Sequence, residues 1–193
     1  LLASSAASDV YKRQGNIMAN FFKKLFGKSE TKVESNIASE APKNALVAVA
    51  NGDLIPLSEV PDPVFAGKMA GDGAAIMVTG DTVVAPADGE LSLVFKTKHA
   101  FAMTLENGLE LLVHIGVDTV GLNGEGFEQL VEAGTKVKAG TPIIKIDREF
   151  ILGKGLSLAT PVLITNVDAA KSINAVESGS VTAGKDVVLN FEI

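Results

Sequence analysis

The chain has 193 residues, 47% of them hydrophobic, a net charge of −6 and no cysteine, which allows one domain with tails and a sizeable core. This composition excludes disulfides, thiolate metal sites and cysteine nucleophiles, and an acidic chain without a basic patch argues against nucleic acid as a partner. No apolar run reaches the roughly 18 residues of a membrane span, and with two histidines in all any histidine chemistry falls on His99, His114 or both.

Residues 1–17 do not begin with Met and lack the basic start and apolar centre of a signal peptide. They are expected to be a non-native leader, with Met18 as the start. The next stretch, MANFFKKLFGK over 18–28, sets Phe22, Leu25 and Phe26 on one helical face and Lys23, Lys24 and Lys28 largely elsewhere. Such a segment predicts weak contact with an anionic membrane surface. The polar residues that follow, up to 44, read as a flexible linker.

From about Ala45 short Val/Ile/Leu runs alternate with turn pairs: Asn51-Gly52, Asp72-Gly73, Asp88-Gly89, Asn107-Gly108 and Asn123-Gly124. This spacing predicts an all-β domain over 45–193, an antiparallel sandwich or barrel with short helical turns. The glycine-rich GKMAGDGAA at 67–75 lacks the phosphate-loop pattern and reads as hairpin turns. One short helix is expected over Gly126 to Ala133, GFEQLVEA. A repeat is visible between VKAGTPIIKI from Val137 and VTAGKDVVLN from Val181, and it predicts two related β units around one core.

The segment Thr97 to Phe127 carries both histidines. If Asn107 and Gly108 form a two-residue hairpin turn, opposite residues have numbers summing to 215. Thr97, His99, Phe101, His114, Gly116 and Asp118 then share one face. His99 and His114 become diagonal neighbours about 7–8 Å apart at the backbone, and Gly116, without a side chain, leaves an opening between them. A three-residue loop would break this face. Two imidazoles in an apolar depression suit phosphoryl transfer. A neutral imidazole attacks phosphorus, its neighbour donates to the phosphoryl oxygens, and a docked partner excludes water.

The run TKHAFA…LLVHIGVDTVGLNGEGF, with PDPVFAGKMAGDG at 61–73, VVAPADGEL at 83–91, VEAGTKVKAGTPI at 131–143 and SGSV at 178–181, closely resembles the IIA component of the glucose family of the sugar phosphotransferase system. The resemblance covers about residues 45–193. It implies a β-sandwich of two related motifs in which His114 is phosphorylated at Nε2 by the phosphocarrier HPr. The phosphoryl group then passes to a cysteine on the IIB domain of a IIBC sugar permease, with glucose or N-acetylglucosamine as the sugar. It assigns to His99 the stabilisation of the transferring group, with Thr97 beside the site and Asp118 at its edge. Val64, Phe65, Phe95, Phe101 and Val120 match the docking rim. Relatives also regulate permeases, a glycerol kinase and adenylate cyclase when unphosphorylated. One such contact is through a zinc ion held by both histidines and a partner's carboxylate. No other cofactor is implied. The resemblance places the chain in the cytoplasm, with the 18–28 segment at the inner membrane face. Three rivals share parts of the pattern: a regulatory protein of the same fold that has lost the relay, a barrel-sandwich zinc hydrolase, and a lipoyl or biotinyl carrier. The hydrolase lacks a third ligand beyond a carboxylate such as Asp118. The carrier has only Lys68-Met69 as a candidate attachment point.

Overall fold

A computed structural model describes residues 42–193. The leader, the 18–28 segment and nearly all of the linker lie outside the described residues. From Ala45 onward the short apolar runs become strands bounded by glycine and Asx turns. In chain order these are β1 (Ala45–Val47), β2 (Gly52–Ile55), β3 (Asp72–Val78), β4 (Thr82–Val84), β5 (Gly89–Val94), β6 (Ala100–Thr104) and β7 (Glu110–His114). The second half adds β8 (Phe127–Gln129), β9 (Lys136–Val137), β10 (Pro142–Ile146), β11 (Ala159–Ile164), β12 (Ser172–Ala175), β13 (Gly179–Val181) and β14 (Val187–Glu192). Helix is limited to α1 (Pro63–Ala66), α2 (Arg148–Gly153) and single 3-10 turns at Leu57–Glu59, Thr119–Leu122 and Val167–Ala169.

The strands form one eight-stranded sheet, in the order β13-β2-β3-β11-β7-β6-β5-β9, and two three-stranded sheets, β1-β14-β12 and β4-β10-β8. Neighbours pair antiparallel. All three sheets feed one large core, which includes Leu46, Ile76, Leu91, Phe101, Met103, Leu111, Val113, Ile144 and Val188. This is the all-β sandwich that the turn spacing predicts.

The repeat is real in three dimensions. Gly140 and Gly184 occupy equivalent tight turns at positive φ, +82° and +71°. The two turns press on each other so closely that a Cβ on Gly184 would lie 2.8 Å from the Gly140 Cα. Each turn is anchored the same way: Gly140 N–H donates to Ala85 C=O and Gly184 N–H to Ala48 C=O, both at 2.8 Å. Asp88 accepts from Ala139 N–H, and Asn51 accepts from Ala183 N–H. Val47 N–H donates to Pro86 C=O, and Val84 N–H donates to Val49 C=O. The partners match because AVANGDL at 48–54 and APADGEL at 85–91 are themselves related, a second half of the repeat that the VxAG match alone does not show.

Two local expectations are corrected. The segment GFEQLVEA is not a helix. Its first residues form β8, which pairs with β10 through Gln129 and Ile144. Eight residues with a glycine at φ +82° at their head have too little helical cooperativity to resist pairing with an available strand. The 67–75 stretch is also not a hairpin. Residues 67–71 turn off α1, and Asp72-Gly73 opens β3, where a Cβ on Gly73 would meet the Val162 carbonyl at 2.0 Å.

Candidate functional site

The β6–β7 hairpin carries the correction with most bearing on the site. Ala100 pairs with His114 and Phe101 with Val113, and Leu105 N–H donates to Leu109 C=O. The loop is therefore Glu106-Asn107-Gly108, an odd loop with Gly108 at φ +85° and the Asn107 side chain accepting from Leu109 N–H. Three-residue loops of this kind place their glycine in the left-handed position. One residue of register exchanges the faces. Phe101 consequently joins Met103, Leu111 and Val113 in the large core and is fully buried at 0% exposure. It is no part of a docking rim. His114 shares the opposite face with Leu112 and Ala100.

His99 reaches the same spot by another route. It is not a strand residue: it closes the turn between β5 and β6, with Lys98 at φ +56°, Lys98 N–H donating to Phe95 C=O, and its own carbonyl accepting from Ile115 N–H at 2.7 Å. The turn frees its side chain from strand alternation, which would send it to the face of Phe101. The two imidazoles meet with ring centroids 4.8 Å apart and planes at 78°. Phe65 lies 4.9 Å from the His114 ring and Phe95 5.5 Å from the His99 ring.

Beneath them is a second, smaller apolar cluster on the outer face of the large sheet. It is built from Ala75, Ala100, Leu112, Ala159 and Leu163, with Leu57, Val60 and Phe65 laid over it by the 57–59 turn and α1. The alanines keep this floor low. Asp62 caps α1, accepting from Val64 N–H at 2.8 Å and Phe65 N–H at 3.4 Å, and this cap with Pro63 at the first helical position fixes where Phe65 stands.

His114 Nδ1 is 2.8 Å from the Gly116 carbonyl. A carbonyl only accepts, so the proton is on Nδ1 and Nε2 keeps its lone pair. His99 Nδ1 is 2.6 Å from Thr97 Oγ1. Burial pushes the His99 pKa down to about 4, with the neighbouring His114 adding to the effect. Burial also lowers the His114 pKa, opposed in part by the Gly116 carbonyl and the charges of Asp62 and Asp118. Both rings are therefore neutral at neutral pH, and the Nε2 lone pair of His114 is chemically able to act as a nucleophile.

Of the remaining sequence-predicted residues, Phe65, Phe95 and Thr97 contact the pair and the charge of Asp118 acts on His114. Asp118 is exposed and in left-handed backbone at φ +59°. Val64 and Phe95 are half-buried, Phe65 is buried against His114, and Val120 stands out at 52% exposure. Gly116 does not serve as an opening. At φ +72° a Cβ there would meet Ser157 O at 2.6 Å and the Thr119 methyl at 2.7 Å, and its carbonyl orients His114. Asp62, Thr119 and Thr160 were not singled out by sequence reasoning. The Asp-Pro pair ahead of VFA was the available signal for the first, an N-cap followed by Pro at N1.

No group of three or more His, Cys, Asp or Glu side chains suited to a metal occurs among the described residues, and no helix there is long and apolar enough to cross a membrane.

Comparison with known proteins places the chain in a family. Residues 44–170 match the family described as phosphoenolpyruvate-dependent sugar phosphotransferase system, EIIA 1. The chain is 44% identical over 172 residues to a glucose-specific EIIA component of the phosphotransferase system from Staphylococcus epidermidis, covering 89% of this chain and 99% of the relative. It is 45% identical over 169 residues to the protein of the same name from Staphylococcus aureus, covering 88% and 97%. Among solved structures it is similar to glucose permease IIA from Mycoplasma capricolum, with a TM-score of 0.70 and 39% identity over 75% of this chain and 93% of that one.

Proposed function

Because the chain belongs to the EIIA 1 family of the phosphoenolpyruvate-dependent sugar phosphotransferase system, we propose that it is a phosphocarrier that takes a phosphoryl group from phospho-HPr on His114 Nε2 and passes it to the cysteine of a IIB domain. The observation that carries this reading is the His114 Nδ1–Gly116 carbonyl bond at 2.8 Å, which leaves Nε2 as the free lone pair at a shallow apolar site.

In the first step the Nε2 lone pair forms the new N–P bond while the N–P bond to the HPr imidazole breaks, and the electron pair returns to that ring. In the second step a IIB thiolate attacks phosphorus, and the electron pair of the His114 N–P bond returns to Nε2. Phosphoryl transfer asks for positioning and charge stabilisation more than covalent help. If Thr97 donates its hydroxyl proton to His99 Nδ1, the His99 proton sits on Nε2 and can donate to a phosphoryl oxygen without the ring being charged. Val64, Phe65, Phe95 and Val120 supply apolar area around the pair for a partner to cover, excluding water from a labile phosphohistidine. Glucose or N-acetylglucosamine is the sugar delivered, at the cytoplasmic face of the membrane.

The Nδ1 atoms of both histidines are engaged, so a zinc ion would take the two Nε2 atoms, with the His99 proton moved to Nδ1 and donated to Thr97 Oγ1, and would need a partner's carboxylate to complete its ligands. That is the form a regulatory contact with a permease, a glycerol kinase or adenylate cyclase would take.

Incubation with phospho-HPr tests the proposal. Wild-type protein gains one acid-labile, base-stable phosphate and His114→Ala gains none. His99→Gln still accepts but delivers more slowly to IIB. A phosphate on His114→Ala would remove His114 as acceptor.

A further inference from the structure

The buried polar side chains among the described residues are His99, His114, Thr119 and Thr160. The histidines are the site. The threonines, both at 0% exposure, hydrogen-bond to the backbone that follows His114. Thr119 Oγ1 donates to the Ile115 carbonyl. Gly116 N–H donates to Thr160 Oγ1 at 3.2 Å, and the Thr160 hydroxyl gives its own proton to the Leu158 carbonyl at 2.9 Å. Both poles of the Ile115–Gly116 peptide are thus held by buried hydroxyls. In the next peptide Val117 N–H donates to the Ser157 carbonyl at 3.0 Å, and the Gly116 carbonyl accepts the His114 Nδ1 proton.

Glycine at φ +72° is the residue type best able to rotate its flanking peptides. If the Gly116–Val117 peptide turned over, an N–H would face His114 Nδ1 in place of a carbonyl. Nδ1 would then have to accept, the proton would move to Nε2, and the nucleophilic lone pair would be lost. Against this the backbone sets one bond, Val117 N–H to the Ser157 carbonyl, because the strand ladder stops short of it. The β7–β11 pairing ends at Val113 and Val162, and the next residue of β11 is Pro161, which has no N–H to offer.

We propose that Thr119 and Thr160 are positioning residues that lock the Ile115–Gly116–Val117 backbone and thereby keep the His114 proton on Nδ1. The consequence for transfer rests on the reading of His114 Nε2 as acceptor, whereas the tautomer itself does not.

Ring-nitrogen NMR of ¹⁵N-labelled protein separates the two. Wild type should show His114 as a single Nδ1–H tautomer. Thr160→Val and Thr119→Val, which keep the shape and remove the hydroxyl, should show mixed tautomers and a drop in phosphoryl acceptance of about 10–100-fold, the range that losing an outer-shell partner costs at metal-bound histidines. Thr160→Ser and Thr119→Ser, which keep the hydroxyl, should restore the single tautomer. A single Nδ1–H tautomer in the folded Val variants would overturn the proposal, as would Ser variants as disturbed as the Val ones. Should a Val variant not fold, amide exchange in the wild type decides. Gly116 and Val117 amides that exchange only on global unfolding support the lock, and exchange at exposed-loop rates removes it. A wild type with the expected tautomer pattern that takes no phosphate would sink the carrier reading and leave the lock standing.

Discussion

The two faces of the eight-stranded sheet are built from the same strands and do opposite work. On the inner face Phe101, Met103, Leu111 and Val113 are large, interdigitated and closed to water. On the outer face Ala75, Ala100 and Ala159 alternate with only a few large residues, so the floor stays low enough for two imidazoles to lie across it. Alternation along β6 and β7 therefore separates stability from chemistry residue by residue. A side chain's neighbour in sequence belongs to the other task, and a substitution should report on one face or the other.

The largest expected effect breaks the symmetry of the comparison on the inner side. Phe101→Ala should destabilise the fold by about 3–5 kcal/mol through the cavity it leaves, measured by urea denaturation. Unchanged stability with lost partner binding would return Phe101 to the rim. Next comes the outer face under acid. Folded His99 is held at about 4 against its ordinary 6.5, so in that interval the unfolded chain binds a proton that the folded chain refuses. Stability should be insensitive to this group above 6.5 and should fall as the pH drops from 6.5 to about 4, by up to about 3 kcal/mol. His99→Gln should flatten that slope in a series of denaturation curves. His114, lowered in the same direction, adds to the slope and remains in the variant.

A smaller effect sharpens the boundary between the faces. Asp62→Ala removes the cap of α1 and should cost about 1 kcal/mol. It also removes a charge that favours protonated His114, so the His114 titration seen by NMR should move further down, which a purely structural cap would not cause. Least of all, Val120→Ala should change stability by less than about 0.5 kcal/mol, as an exposed side chain does, while weakening binding of phospho-HPr measured by calorimetry. Equal binding would place the docking contact elsewhere.

The β architecture and the meeting of the two histidines were legible in the sequence, but the division between the faces was not, because it rests on register. Asn107-Gly108 marks a hairpin reliably, yet both two- and three-residue loops use a glycine at positive φ, and one residue of loop length decides whether Phe101 or His114 faces the core. His99 and His114 converge as expected for a reason that alternation could not supply, since His99 sits in a turn. The VxAG repeat was visible because its glycines are locally required, whereas the contact of Gly140 with Gly184 is a property of the assembled sheets. Thr119 and Thr160 look like ordinary strand and turn residues. Their roles depend on hydrogen bonds across as many as 44 positions, which no local pattern encodes.

The pairing of β1 with β14 and of β2 with β13 joins the first strands of the domain to its last. Each half of the repeat is completed by a piece from the far end of the chain, so neither half can close its share of the core alone. During synthesis β1, with Leu46, must wait unpaired until Val187, Leu189 and Asn190 have left the ribosome, and β2, although it pairs early with β3, keeps its other edge open until β13 arrives. Contacts this distant in sequence form late and slowly, and the waiting strands expose apolar edges meanwhile. Truncation after Val187 would remove no atom of the site and still leave Ala45 and Leu46 of β1 without their partners. Dependence on chaperones during translation should therefore be set by β14 (Val187–Glu192), far from His99 and His114.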